Sequence, residues 1–472
     1  MSSFDYFSGD TVAALATPPG VSALAVLRVS GKDAITIVNQ VFKGKDLTKQ
    51  ETHTLHFGRI MDGEFPVDEV LISVFKAPKS FSGENLIEIS CHGSNYIVAT
   101  ILKLLIKNGA RYANPGEFTR RAFLNGKFDL VQAEAIADLI HSDSEVSHHM
   151  AMNQMRGGFS KKIDLLRERL VNFASLLELE LDFSEEDVEF ADRSHLRSLI
   201  EEMQTEIEIL TDSFSLGNVL KEGIPTVIAG KPNAGKSTLL NALLNEEKAM
   251  VSDIAGTTRD VIEDEISIRG VKFRFIDTAG LRETEDTLEA MGIERTMKKL
   301  DEASLIIYLY DINSTSEDEL IQIETELSAR NKPYIFVANK VDKLVDSEQL
   351  TVDSNELAKN SLTTHNSPRA TINISASNKS NLEELKNRLL KLVNADSFKS
   401  GNTVITNARH HENLTKVASA LKLTIDALDR SLSNDFLALE VRQALYYLGE
   451  LTGTITTEDL LGNIFSKFCI GK

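Results

Sequence analysis

The chain has 472 residues, a net charge of −19 and only two cysteines, Cys91 and Cys469. This length predicts two to four domains. The acidic balance argues against a protein that binds nucleic acid through bulk charge, and two cysteines exclude a disulfide framework or a cysteine-rich zinc site. The sequence has neither a secretory signal nor an apolar run of about 18 residues, so a cytoplasmic protein without membrane segments is expected.

Residues 1–124 are predicted to form an N-terminal α+β domain. Turn signals such as Pro18-Pro19-Gly20 separate apolar, β-prone runs, which predict strands. The runs lie at residues 12–16, 22–29, 70–75 and 86–90. Between the last of them and residue 124, the pattern over residues 97–106 predicts a helix.

Two segments, 125–217 and 394–472, are predicted to be helical. In each, apolar side chains recur at spacings of three and four, the pattern of an amphipathic helix. One stripe comprises Leu196, Leu199, Ile200, Met203, Ile207 and Leu210, and the other comprises Leu414, Val417, Leu421, Ile425 and Leu428. We expect both flanks to build one discontinuous helical domain, with the segment between them inserted as a separate domain.

The inserted segment, residues 223–393, is predicted to be a doubly covered α/β domain. Helical stretches alternate with apolar runs at residues 226–229, 273–276, 305–310, 334–338 and 371–374. This alternation is typical of a parallel sheet with helices on both faces. The fold class expected for the whole chain is therefore multidomain α/β.

Residues 230–237 read Gly-Lys-Pro-Asn-Ala-Gly-Lys-Ser, a G-x-x-x-x-G-K-S phosphate loop. An apolar run precedes the loop and residues 238–244 can begin a helix, so backbone N–H groups would face the phosphates. Lys236 would reach the β- and γ-phosphates, and Ser237 would bind Mg²⁺.

Four further segments follow in order, mostly at predicted strand ends, where ligands of such sheets bind. Residues 256–260 offer hydroxyl groups for a switch loop, and residues 277–280 read Asp-Thr-Ala-Gly, a carboxylate for Mg²⁺ and an amide for the γ-phosphate. Asp342 can accept hydrogen bonds from N1 and N2 of guanine, and Ser375-Ala376 can complete the base pocket. GTP is the expected nucleotide.

The residue after the Asp-Thr-Ala-Gly segment is Leu281. Many switch GTPases place there a glutamine that orients the attacking water, which leucine cannot do. Another group must therefore position the water, and a monovalent cation can meet the transition-state charge. Glu289 is a candidate for the orienting group, although a lone glutamate on a helix also fits a solvated surface position.

Cys469 is the fourth residue from the end, but Gly471-Lys472 does not fit a prenylation signal. Two interpretations stay open: an apolar packing residue, or a reactive thiol whose pKa Lys467 and Lys472 could lower. Cys91 ends an apolar run and is interpreted as a core residue, because its neighbour His92 would point to the opposite face of a strand.

Further short motifs lie at residues 16–20, 27–31, 115–118, 121–125, 132–140 and 468–472. Together with the GTPase segments, these motifs closely resemble the MnmE or TrmE family of tRNA wobble-uridine modification GTPases. The resemblance covers essentially the whole chain.

The resemblance implies a folate-binding, aminomethyltransferase-like N-terminal domain that also makes a homodimer, a discontinuous helical domain and an inserted P-loop GTPase. It implies a K⁺-dependent GTP hydrolase that forms a heterotetramer with an FAD-dependent MnmG/GidA-type partner. Together they would add a (carboxymethyl)aminomethyl group to C5 of wobble uridine 34 in certain tRNAs. The one-carbon unit would come from 5,10-methylenetetrahydrofolate or its 5-formyl analogue, and FAD would be held only by the partner.

The site residues implied by the resemblance fall into four groups. The folate contacts correspond to Arg28, Glu88, Lys127 and Lys472, and the catalytic residues to Glu289 and Cys469. The Mg²⁺ ligands correspond to Ser237 and Thr258, and the K⁺ ligands to Asn233, Ser252, Ile254 and Thr257. The GTP-binding positions are Asn233, Ala234, Gly235, Lys236, Ser237, Thr238, Ser252, Asp253, Ile254, Ala255, Gly256, Thr257, Thr258, Asp277, Thr278, Ala279, Gly280, Asn339, Lys340, Asp342, Ser375, Ala376 and Ser377.

Two rival functions stay open from the sequence. A regulatory or ribosome-assembly GTPase would need neither a folate site nor Cys469. A stand-alone folate-dependent transferase would work without Lys236.

Overall fold

The computed structural model describes residues 9–182, 193–248, 264–276, 300–343, 371–393 and 404–471. The chain divides into two compact units. Unit 1 comprises Met1–His141, Ala151–Glu208 and Arg409–Lys472, and unit 2 comprises Ser142–Met150 and Ile209–Ala408. The predicted division into segments 1–124, 125–217, 223–393 and 394–472 stays a prediction.

Within the described part of unit 1, seven strands form a sheet in the order β3-β4-β5-β6-β2-β1-β7. Neighbouring strands pair antiparallel, except that β1 pairs parallel with β7. The strands are β1 Val12–Leu15, β2 Ser22–Ser30, β3 Phe42–Lys43, β4 Thr54–Asp62, β5 Phe65–Phe75, β6 Leu86–Gly93 and β7 Arg111–Tyr112. The four predicted strands of this part are confirmed, whereas β3, β4 and β7 were not predicted.

Two helices, α1 (Ala34–Val41) and α2 (Asn95–Lys107), pack on one face of this sheet. Apolar residues alternate along the strands, so that Leu27, Ile72 and Ile89 are buried against these helices. A smaller apolar cluster contains Leu86 and Phe118. Phe118 belongs to a third helix, α3 (Glu117–Leu124).

The rest of unit 1 is largely helical. Its helices, some of which extend into unit 2, are α4 Leu130–His141, α5 Glu145–Met155, α6 Gly158–Asp182 and α7 Arg193–Glu222, and further along the chain α11 Ala408–Asp429, α12 Asn434–Thr452 and α13 Glu458–Ser466. Both predicted apolar stripes are confirmed, since they lie on α7 and α11 with most of their side chains buried. Within the described helices, none is long and apolar enough to span a membrane.

The described residues of unit 2 form a six-stranded sheet in the order β13-β12-β11-β8-β10-β9. The strands are β8 Ile224–Ala229, β9 Asp264–Ile268, β10 Val271–Phe275, β11 Leu305–Asp311, β12 Tyr334–Asn339 and β13 Thr371–Asn373. Five strands are parallel, as predicted. The edge strand β9 was not predicted and pairs antiparallel with β10, so the sheet is mixed.

Helices cover both faces of the unit 2 sheet, as predicted. On one face lie α8 (Lys236–Lys248) and α10 (Leu382–Leu392), through buried leucines such as Leu239 and Leu385. On the other lies α9 (Glu317–Ser328), through Leu320 and its neighbours. A capping box between Ser316 and Glu319 starts α9.

Candidate functional site

The predicted phosphate loop in unit 2 connects β8 to α8. Gly230 has φ of +149°, and a Cβ there would lie 2.0 Å from the carbonyl oxygen of Leu309. Gly235 has φ of +95°, and a Cβ there would lie 2.3 Å from Nδ2 of Asn339. Only glycine can occupy such positions without displacing its neighbours. The two glycines therefore let the loop lie directly against the ends of β11 and β12.

Lys236 is the first residue of α8, and its ammonium group turns back into the loop. Its Nζ donates to the carbonyl oxygen of Gly230 at 2.7 Å and to that of Lys231 at 3.0 Å. Burial lowers the pKa of Lys236, because desolvation disfavours the charged form. A bound phosphate group would offset this desolvation by pairing with the ammonium group.

Asn339 ends strand β12 and joins the phosphate loop to a second loop. Its Nδ2 donates to the carbonyl oxygen of Ala234 at 2.8 Å, and its Oδ1 accepts from the backbone N–H of Ala376 at 3.0 Å. The residue is only 3% exposed. One buried amide side chain therefore sets the distance between two segments that the sequence predicts to hold opposite ends of a nucleotide.

Asp342 lies in a short 3₁₀ helix, Val341–Lys343, and its side chain is held from one side. Ser375 Oγ donates to Asp342 Oδ1 at 2.5 Å, and Ser377 Oγ lies 3.1 Å from Ser375 Oγ. Asp342 itself is exposed. The structure therefore brings the predicted base-binding residues of two separate segments together, with a carboxylate facing solvent.

One supporting residue of this edge, Asp311, was missed in the sequence. Lys340, which was predicted to bind GTP, has φ of +66°, and its Nζ donates to Asp311 Oδ2 at 2.8 Å. Burial alone would raise the pKa of Asp311, but hydrogen bonds from Lys340 and Asn313 lower it overall. Asp311 ends β11 at the same edge as the predicted site, and that position was the signal that could have identified it.

A second candidate site lies in unit 1, where the C-terminal tail (described over residues 464–471) meets the sheet. Arg28 of β2 and Glu88 of β6 are cross-strand partners. Arg28 Nε and Nη2 each lie 2.9 Å from Glu88 Oε1, and Arg28 Nη1 lies 3.5 Å from the carbonyl oxygen of Gly471. The guanidinium carbon lies 5.2 Å from the ring centroid of Phe81, within cation–π distance.

Lys127 and the two cysteines are the other residues of unit 1 that the sequence analysis singled out and the structure describes. Lys127 is exposed, and its Nζ donates to the carbonyl oxygen of Pro78 at 3.0 Å. Cys469 is exposed, so the packing interpretation of this cysteine is wrong. Cys91 is 1% exposed, which confirms the core interpretation. Burial, together with the charge of Asp68, raises the pKa of its thiol to about 11.

Comparison with known proteins decides the family. A model described as "MnmE helical domain" matches residues 130–469, and one described as "GTP-binding protein TrmE N-terminus" matches residues 11–127. The tRNA modification GTPase MnmE of Cytophaga hutchinsonii is 56% identical over 98% of this chain and 98% of that protein. That of Christiangramia forsetii is 52% identical over 98% of this chain and 99% of that protein. The chain belongs to the MnmE family of tRNA modification GTPases.

Membership of the MnmE family confirms the resemblance, and with it the expected TrmE-type N-terminal domain and helical domain. The remaining predicted MnmE-type site residues lie outside the described part of the chain, so their positions stay predictions. They are Ser252, Asp253, Ile254, Ala255, Gly256, Thr257, Thr258, Asp277, Thr278, Ala279, Gly280, Glu289 and Lys472.

Proposed function

We propose that the protein hydrolyses GTP in unit 2 and, with an FAD-dependent MnmG/GidA-type partner, adds a (carboxymethyl)aminomethyl group to C5 of wobble uridine 34 in certain tRNAs. One observation carries the proposal. A chain of the MnmE family contains both a phosphate loop and an exposed thiol, Cys469, and the C-terminal tail that carries this thiol contacts Arg28 of the Arg28–Glu88 pair. The net charge of −19 fits a partner that supplies much of the tRNA contact.

Guanine would be selected by Asp342. An ionised carboxylate only accepts hydrogen bonds, and guanine presents N1–H and N2–H donors that adenine lacks at this edge. Ser375 Oγ, 2.5 Å from Asp342 Oδ1, would fix the carboxylate in the orientation that the base requires. At the other end of the nucleotide, the loop amides and Lys236 would bind the phosphates.

The described metal-binding candidates are Ser237 and Asn233, both in the phosphate loop. The Ser237 hydroxyl follows Lys236 at the start of α8, and Asn233 has φ of +61°, a conformation that asparagine tolerates better than most residues. Hard oxygen donors of this kind suit Mg²⁺ and K⁺. Both ions would neutralise phosphate charge, while Glu289 would orient the water in place of the glutamine that Leu281 replaces.

The Arg28–Glu88 pair fits a tetrahydrofolate. Its side chains are 21% and 26% exposed, so both can be reached by a ligand while they hold each other in place. A carboxylate can accept from pterin N–H groups, and Arg28 and Lys127 can meet the acidic tail of the cofactor. When bound, the cofactor would supply the one-carbon unit, either as the 5,10-methylene form or as the 5-formyl analogue.

A homodimer is supported by an exposed apolar strip on the unit 1 sheet. Leu55 and Phe57 of β4 and Leu71 of β5 are 59%, 65% and 41% exposed, and Phe57 is the register partner of Leu71. Large apolar side chains that are exposed and adjacent to one another are typical of surfaces that contact another protein. We propose this strip as part of the dimer contact of a cytoplasmic protein.

Replacing Asp342 by asparagine should weaken GTP binding about 100-fold or more and should create binding of xanthosine triphosphate. Xanthine carries a carbonyl oxygen where guanine carries its amino group, so the new amide N–H has an acceptor. Titration with both nucleotides measures this change. Asp318→Asn removes the same charge from an exposed position of α9 and should leave the preference unchanged.

Replacing Cys469 by serine should abolish wobble-uridine modification and leave GTP turnover at the wild-type rate, because the thiol lies in unit 1 and the phosphate loop in unit 2. Mass spectrometry of tRNA nucleosides from complemented cells measures the modification. Ser466→Ala, an exposed change in the same tail, should preserve both activities. Full modification in cells that lack the protein would favour the alternative, a regulatory or ribosome-assembly GTPase.

A further inference from the structure

The motif at residues 115–118 lies where the C-terminal tail passes over unit 1. Gly116 precedes α3 with φ of +66°, and its N–H donates to the carbonyl oxygen of Cys469 at 3.3 Å. A Cβ at Gly116 would lie 2.5 Å from the carbonyl oxygen of Phe465 and 3.0 Å from Cβ of Phe468. The first of these distances is far below a normal contact, so no other residue fits here while the tail keeps its place.

The tail is held at a second point by Gly471. This residue has φ of +94°, and a Cβ there would lie 2.1 Å from the carbonyl oxygen of Leu15. Arg28 Nη1 lies 3.5 Å from the carbonyl oxygen of Gly471. The segment from Cys469 to Gly471 therefore lies between two close contacts, one near α3 and one at the end of β1.

Other contacts fix the residues on both sides of the Gly116 contact. Glu117, beside Gly116, is 2% exposed and pairs with Arg111 and Arg121. On the tail side, Arg120 Nη2 lies 2.5 Å from Glu458 Oε2 at the start of α13. Phe465 and Phe468 are buried in a cluster with Leu130 and Leu461. Neither side can give way easily, so an added methyl group would separate them.

We propose that Gly116 is a positioning residue that locks the C-terminal tail against the start of α3 and so holds Cys469 near Arg28 for the proposed reaction. The inference rests on the proposed function for the role of Cys469, but the lock itself depends only on backbone contacts. The lock gives a structural role to the motif at residues 115–118, which belongs neither to the GTP-binding residues nor to the Arg28–Glu88 pair.

Gly126 provides a matched control. It follows α3 as Gly116 precedes it, and its φ is +67°, but a Cβ there would meet nothing within 4 Å. Gly126→Ala therefore places a Cβ at nearly the same positive φ as Gly116→Ala, but without the clash. A difference between the two variants reports the contact with the tail alone.

The test is limited trypsin digestion of the full-length protein, with release of residues 468–472 followed by mass spectrometry. Lys467 is exposed but Phe468 is buried, so cleavage between them requires the tail to leave its place. The overpacking at Gly116 predicts release about 5- to 150-fold faster in Gly116→Ala than in Gly126→Ala. Gly471→Ala, which leaves α3 untouched, should also release faster, and GTP turnover should be normal in all three variants.

The modification assay separates the two levels of the proposal. Faster release with reduced wobble-uridine modification in Gly116→Ala supports the positioning role. Equal release in Gly116→Ala and Gly126→Ala overturns the lock, and faster release with full modification overturns the positioning role. A wild-type protein that modifies no tRNA refutes the proposed function, while the difference in release would still support the lock.

Discussion

Replacing Asn339 by alanine is expected to weaken GTP binding by about 30-fold or more, since two hydrogen bonds between buried groups are lost. Asn339 is 3% exposed, and its loss would leave the carbonyl oxygen of Ala234 and the N–H of Ala376 without their hydrogen-bond partner. Each buried group left unsatisfied costs roughly 1–3 kcal/mol, and about 1.4 kcal/mol corresponds to a factor of ten. The phosphate loop and the loop at Ser375 would then no longer be held at one distance.

Titration with a fluorescent GTP analogue measures this loss, and two further variants show its origin. Asn339→Asp keeps the acceptor for Ala376 but places a carboxylate oxygen against the carbonyl oxygen of Ala234, so it should resemble Asn339→Ala. Asn241→Ala removes an exposed amide from α8 and should bind like the wild type. Wild-type affinity in Asn339→Ala would show that the two loops are positioned by other contacts.

The sequence was a good guide to the unit 2 site because the site follows from local patterns. Apolar runs predicted its parallel strands, and the ends of such strands meet at one edge of the sheet. Strand β9 was missed because Asp264–Ile268 contains only two apolar residues. It is joined to β10 by Arg269 and Gly270, both with positive φ, a tight turn that lacks the usual Asn-Gly signal.

The candidate site of unit 1 could not be predicted in the same way, because it joins residues that lie far apart in the chain. Arg28 and Glu88 are partners across two strands, and the tail contact links Arg28 to Gly471. Local patterns carry no information on such pairs. The resemblance supplied Arg28 and Glu88 as folate contacts, but not Phe81 beside the guanidinium or Gly116 beneath the tail.

Replacing Glu134 by glutamine should lower the stability of unit 1 by about 3–5 kcal/mol, the usual cost of removing one partner from a buried ion pair. Glu134 of α4 is 9% exposed and accepts from Arg409 Nε at 2.9 Å and Arg409 Nη2 at 2.8 Å. His410 Nε2 lies 2.6 Å from Glu134 Oε2. The carboxylate thus joins α4 to the start of α11, where the chain enters unit 1 again.

The pH dependence gives this prediction a second test. Burial alone would raise the pKa of Glu134, but the charges of His410 and Arg409 outweigh it and lower the pKa from 4.5 to about 2. A lowered carboxylate pKa stabilises the folded state fully above about pH 4.5, and the stabilisation is lost as the pH falls towards 2. The difference in stability between the wild type and Glu134→Gln should therefore be largest near neutral pH and shrink below pH 4.5.

Hydrogen–deuterium exchange of peptides from the two paired helices, α4 and α11 here and α6 and α12 in the control, measures the loss locally, which matters in a chain of two units. Glu178→Gln is the matched control, because Glu178 also pairs with an arginine across two helices, here Arg442. Those side chains are 45% and 55% exposed, so their pair should contribute less than about 1 kcal/mol. If both variants lost the same stability, the helices would be held by their apolar contacts, and burial of the Glu134 carboxylate would contribute nothing extra.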